Sequence, residues 1–134
     1  MPEKIIIIPG RPIAKARPRF ARRGIFIKTY SAQETEEGKS FLEIRHQWNQ
    51  PPLSCPVIVE MTFLFPTTKG SIKAVREMLD GTTKHTKKPD IDNAGKYYLD
   101  VMNQAVFLDD KQVYELALSK GFALEPKTII RVVW

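Results

Sequence analysis

The run PDIDNAGK, residues 89–96, places Asp90 and Asp92 two residues apart, with Lys96 four residues after Asp92. Carboxylates accept hard divalent cations through oxygen, and an ammonium beside such a site can offset charge that builds on a phosphodiester. Pro89 disfavours the helical conformation for Lys88 because its ring clashes with the preceding residue, so Asp90 is expected at the end of an extended segment. In an extended chain residues i and i+2 face the same side, roughly 7 Å apart at about 3.3 Å per residue. Two simpler readings compete. An acid ahead of an amphipathic run caps a helix N-terminus, although a cap needs one acid and two are present. Asp92 and Lys96 could also form no more than an i,i+4 ion pair.

A second acidic pair, Asp109 and Asp110, follows in what reads as a turn, where aspartate is common. If that turn swings back to Asp90 and Asp92, three close carboxylates repel one another unless protonated or metal-bound, and an all-oxygen ligand set suits Mg²⁺ or Mn²⁺. An EF-hand is excluded: counting from Asp90, hydrophobic Ala94 and Val101 fall where that loop needs oxygen ligands. Cys55 is the lone cysteine and His46 and His85 are far apart, which argues against a disulfide framework and against a Cys/His zinc site. No phosphate-binding loop, dinucleotide fingerprint or nucleophile elbow occurs.

The elements that must position these residues read as follows. A chain of 134 residues, 43% apolar and 27% charged, is expected to fold as one domain over residues 1–134. Lys4–Ile8 reads as a buried strand. Residues 11–24, with Pro12, Pro18 and Gly24 among the cations, read as a mobile basic loop or arm, followed by a short strand at 25–28. Ser31 with Glu34 forms a capping box for a helix running to Trp48, whose face carries Phe41, Leu42 and Ile44. Val57–Phe65 alternates as a strand, and Ser71 caps a second helix that Gly81 ends. Ala94, Tyr97, Tyr98 and Val101 describe a third amphipathic helix ending near Asn103. A hairpin is predicted from a run at 104–108 through Asp109 and Asp110 into a strand at 113–122, and a last strand covers 128–134. The mixed order predicts an α+β fold, a mixed sheet with helices packed on it. Phe41, Trp48, Tyr97 and Tyr98 could stack on bases, but at helical spacing they read as core.

The net charge is +6, and its distribution matters more than its size. Seven cations (Arg11, Lys15, Arg17, Arg19, Arg22, Arg23, Lys28) fall between residues 11 and 28 with no acid among them; Lys69, Lys73, Arg76, Lys84, Lys87 and Lys88 form a second patch. Such segregation predicts a nucleic-acid partner. The longest apolar run near the N-terminus, Ile5–Ile8, is too short for a signal core or a membrane span, so the expected location is cytoplasmic.

The stretch KPDIDNAGKYYLDVMNQAVFLDDKQV resembles the signature of the RusA-type Holliday junction resolvases, in which D-x-D-N-x-x-K opens a helix and D-D-x-Q-V follows in a turn. IPGRPIAKARPRF likewise resembles the G-x-P-x-x-K-x-R-P-R opening of many members. The resemblance implies a small homodimeric endonuclease, often prophage-borne, that uses Mg²⁺ or Mn²⁺ to cut four-way DNA junctions symmetrically. It implies metal-binding catalytic roles for Asp90, Asp92 and Asp110, an assisting role for Asp109, and an essential Lys96. The chain departs from the family pattern at Gly95, where a larger residue is usual. Lys15, Arg17, Arg19, Arg22, Arg23, Lys84, Lys87 and Lys88 are the expected DNA contacts. Two rivals stand beside this reading: a restriction-type nuclease of the P-D…D-x-K kind, which would use Lys111, and a DNA-binding protein without catalysis.

Overall fold

The computed structural model describes residues 1–16, 19–23, 26–30 and 34–134, with side chains described for 1–16 and 35–134. Arg17 and Ser31 therefore lie outside the described residues, as do the side chains of Arg19, Arg22, Arg23 and Glu34.

Strand β4, Val57–Pro66, organises the molecule. Its alternation buries Val57, Val59, Met61, Phe63 and Phe65 on one face and leaves Ile58, Glu60, Thr62 and Leu64 half-exposed on the other. β6, Lys127–Val133, runs antiparallel to β4 on one side and to β1, Glu3–Pro9, on the other. β5, Val113–Ala123, pairs parallel with β4, so the sheet has the order β1-β6-β4-β5 and is mixed. Helices α1, Glu34–Trp48, and α3, Ile91–Met102, pack on each other, with α1 against β1 and α3 against β5. The fold is α+β, and among the described residues no helix is long and apolar enough to cross a membrane. The opposite face of the sheet carries Ile5 and Ile7, both about half exposed, and an ion-paired row in which Arg131 bridges Glu3 and Glu60.

Two expectations are corrected. Residues 104–108 and 113–122 do not pair as a hairpin. Ala105, Val106 and Phe107 are fully buried, and Phe107 bridges to Leu53 and Asn103, so core burial and not strand pairing fixes this run. β5 then finds β4 through a crossover containing α2, Ile72–Leu79, and α3, as a parallel pair requires. The basic segment also contains more order than a loop: β2, Arg19–Arg23, pairs antiparallel with β3, Phe26–Tyr30.

The other helix boundaries follow local chemistry. Ser71 Oγ accepts the Ala74 N–H at 3.1 Å and caps α2, and Gly81, at φ +85°, follows its end. Trp48, Tyr97 and Tyr98 are buried core residues, as their spacing indicates. Gly95, the family's larger position, faces β5 so closely that a Cβ would stand 2.7 Å from Leu118 Cδ1. Its absent side chain lets α3 sit down on the sheet, which accounts for the loss of helix propensity tolerated there. Gly95→Leu should destabilise the fold by about 1–3 kcal/mol through overpacking, read as a lower urea midpoint at unchanged m.

Candidate active site

Asp90 occupies the N-cap position of α3 in an extended conformation, φ −63° and ψ 141°, and its carboxylate makes no capping hydrogen bond. Its carbonyl oxygen accepts the Ala94 N–H at 3.2 Å, so the backbone opens the helix while the side chain has no hydrogen-bond partner among the described residues. Asp92 is exposed in the first turn. Because helical geometry already holds at Asp92, the pair is not the extended i,i+2 arrangement anticipated from Pro89; both acids instead stand at the positive end of the α3 dipole. Lys96 is exposed, one turn on, and forms no ion pair with Asp92. Neither of the bland uses for these residues, cap or ion pair, is made.

The second acidic pair divides its labour. Asp109 Oδ1 accepts the Lys111 N–H at 2.9 Å and Gln112 Oε1 accepts the Asp109 N–H at 2.9 Å, a capping box that starts the 3-10 turn Asp110–Gln112. Gln112 Nε2 donates to the carbonyls of Leu53 and Cys55, fastening that turn to the strand entry. The Lys111 backbone N–H holds the Asp109 carboxyl below the usual carboxylate range. Asp110 behaves oppositely. Partial burial pushes its carboxyl up, and hydrogen bonding to Asp109 and the charges of Asp109 and Asp100 push it the same way.

Asp109 and Asp110 stand at the 3-10 turn, while Asp90, Asp92 and Lys96 stand along the start of α3. Among the described residues no three His, Cys, Asp or Glu side chains form a group that could hold a metal ion. The donor chemistry itself fits a hard divalent cation: every candidate ligand is oxygen, the Asp90 carboxylate does not cap α3, and the raised Asp110 carboxyl sits among acids that a cation would relieve.

The approach to Asp90 is built by residues that spacing arguments passed over. Lys120 Nζ donates to Lys87 O at 2.8 Å and Pro89 O at 2.9 Å, holding the carbonyls on either side of Lys88. His85 is buried between Phe65, stacked at 4.3 Å, and Phe122 at 5.0 Å. Burial, reinforced by the charges of Lys120, Arg11 and Lys87, lowers its pKa and favours the neutral ring. The segment is therefore fixed at its root while Lys84, Lys87 and Lys88 stay exposed. A sequence signal existed for Lys120: it interrupts the apolar alternation of Leu116, Leu118 and Phe122 on β5 and pairs in register with buried Phe63.

Lys15 is held differently from the other cations. Its ammonium pairs with Glu37 Oε1 at 2.9 Å and Asp100 Oδ2 at 3.3 Å, and its backbone N–H donates to Asn93 O at 3.0 Å. Tyr98, on the buried side of α3, accepts the Ile13 N–H at 3.0 Å and the Thr128 hydroxyl at 3.1 Å. Tyr97 hydrogen-bonds Ser40 at 2.9 Å, and burial pushes its phenol up to about 12, which leaves it no part as a base near neutrality.

An α+β sheet that presents a D-x-D-N-x-x-K helix start beside a basic segment is a nuclease-like arrangement. The chain belongs to the RusA endodeoxyribonuclease family, whose model, Endodeoxyribonuclease RusA, matches residues 9–133. It is also 27% identical over 128 residues to the uncharacterized protein YqaN of Bacillus subtilis (strain 168), an alignment spanning 92% of this chain and 90% of that one.

Proposed function

We propose that this protein resolves four-way (Holliday) DNA junctions by divalent-metal-dependent, symmetric hydrolysis of phosphodiesters, in cytoplasmic DNA recombination and repair and often in a prophage setting. The observation that supports this best is the state of the D-x-D-N-x-x-K helix start in a chain of this family: Asp90 holds the cap position without capping, and Lys96 stands exposed without pairing to Asp92. Asp90, Asp92 and Asp110 would hold Mg²⁺ or Mn²⁺, with Asp109 beside them. The ion supplies Lewis-acid activation of water and charge neutralisation at the phosphodiester. Lys96 sets its ammonium against the negative charge that grows on the phosphoryl oxygens during attack. Lys84, Lys87 and Lys88, with Arg17, Arg19, Arg22 and Arg23, hold phosphates and position the strand without reading bases. A homodimer with a two-fold axis offers two such sites to a junction of near two-fold symmetry.

The direct test is a labelled four-way junction incubated with purified protein and titrated with Mg²⁺ or Mn²⁺, with linear duplex and chelator as controls. Symmetric nicks that need metal and the branch support the reading; binding without cutting in any metal favours the non-catalytic rival. Lys96→Ala should stop cutting and Lys111→Ala should not. The reverse pattern would favour the restriction-type rival. Replacing Arg17 and Arg19 by alanine should weaken junction binding and reduce the slope of log K against log salt by about 2, near 0.9 per lost phosphate contact. An unchanged slope assigns both to ordinary surface.

A further inference from the structure

The root of the basic arm is tied to α3 along two turns of helix. Lys15 donates its backbone N–H to Asn93 O, inside the D-x-D-N run, and its ammonium reaches Asp100 on α3 and Glu37 on α1. Ile13 N–H reaches the hydroxyl of Tyr98, between those two points in the helix. The Lys15 side chain is 29% exposed, and its two partners are 30% and 35% exposed, so the bridge is partly shielded and not a freely solvated surface pair. The 3-10 turn that carries Asp110 packs against α3, and the charge of Asp100 bears on the Asp110 carboxyl. An ammonium shared by two carboxylates from two helices fixes the position of each, and it is also unavailable for a phosphate unless it leaves both.

We propose that Lys15 is a positioning residue of the cutting site, not a phosphate contact: by holding Asp100 and the Asn93 carbonyl it sets α3 against the turn of Asp110 and makes the arm and the acids one mechanical unit. This rests on the nuclease reading above. It predicts that the lysine in the arm closest to the acids acts on the rate of cutting while its arginine neighbours act on affinity.

The experiment compares Lys15→Met, which keeps the apolar stem and the backbone bond, with Lys15→Arg and Asp100→Asn. Single-turnover cutting of a labelled junction is measured at saturating protein, and junction affinity is measured without divalent metal over a range of salt. Lys15→Met should cut roughly 10- to 100-fold more slowly, the size of effect that follows a misplacement of about 1 Å, with affinity and salt slope at wild-type values. Lys15→Arg should recover most of the rate. Asp100→Asn, which breaks the same bridge with the lysine intact, should slow cutting to a similar degree, and the double variant should be no slower than the slower single. A Lys15→Met protein that cuts normally at saturation, with a salt slope lower by about 1, would make Lys15 a phosphate contact and overturn the proposal. Wild-type rates in both Lys15→Met and Asp100→Asn would overturn it too. Wild-type protein that cuts no junction sinks the nuclease reading and this proposal together; active wild type with an indifferent Lys15→Met sinks this proposal alone.

Discussion

Asp110→Asn stops junction cutting and leaves the fold at least as stable as before: that is the expected outcome, and it carries the largest functional effect. Loss of one carboxylate that holds a divalent ion removes several kcal/mol of transition-state stabilisation, and at 1.36 kcal/mol per tenfold this is a rate lower by about 10³ or more. The stability half follows from the site's electrostatics. Burial and the neighbours Asp109 and Asp100 raise the Asp110 carboxyl above its unfolded value. For a group raised in this direction the favourable contribution is complete below the unfolded pKa and is lost as pH rises through the folded one. At neutral pH the ionised form therefore opposes folding, and an uncharged asparagine relieves it. Junction binding should hold or tighten with one negative charge fewer near DNA. Gel-resolved cutting with thermal melts at pH 7 checks both halves. Full cutting by Asp110→Asn would remove this residue from the site.

The largest structural effect is expected at Phe63. It is fully buried in the middle of β4 and stacks on Tyr98 with ring centroids 5.8 Å apart. Tyr98 in turn holds Ile13 at the arm's root and Thr128 on β6. Phe63→Ala opens a cavity between sheet and helix, for which core truncations of this kind cost about 3–5 kcal/mol. At roughly 2–8 °C per kcal/mol for domains of this size range, the melting point should fall by about 10 °C or more. Circular dichroism melts measure it. A shift of only one or two degrees would mean that α3 collapses onto the sheet without loss and that the Phe63–Tyr98 contact is not what seats it.

Sequence periodicity reached far in this protein wherever burial alternates locally. The β4 phase, the Ser71 cap and the apolar stripe of α3 each translate one regular pattern into one face. The resemblance in residues 88–113 led to a family that the comparison with known sequences bears out. What escaped was long-range. No local pattern distinguishes a run such as Ala105–Phe107 that plugs the core from one that pairs as a strand, and the parallel union of β4 and β5 joins segments separated by two helices. The site shows the same division. The motif named Asp90, Asp92 and Lys96, yet only the folded structure reveals that the Asp90 carboxylate does not cap α3, that Asp109 is consumed by its own turn, and that the charge of Asp100 bears on Asp110. Lys120 and His85, which fasten the approach to Asp90, reach partners twenty or more residues away and past two ring faces, where spacing rules have no reach.

The place of β6 has a consequence for how the protein is made. It is the final strand in the chain and yet lies between β1 and β4. While the ribosome is still adding residues 127–133, those two strands have no partner on the sides that will face β6, and their hydrogen-bonding edges stay open to other chains. Nascent chains should thus depend on chaperone cover until residues 127–133 have left the ribosome, and crowded expression at high temperature should divert them into inclusion bodies.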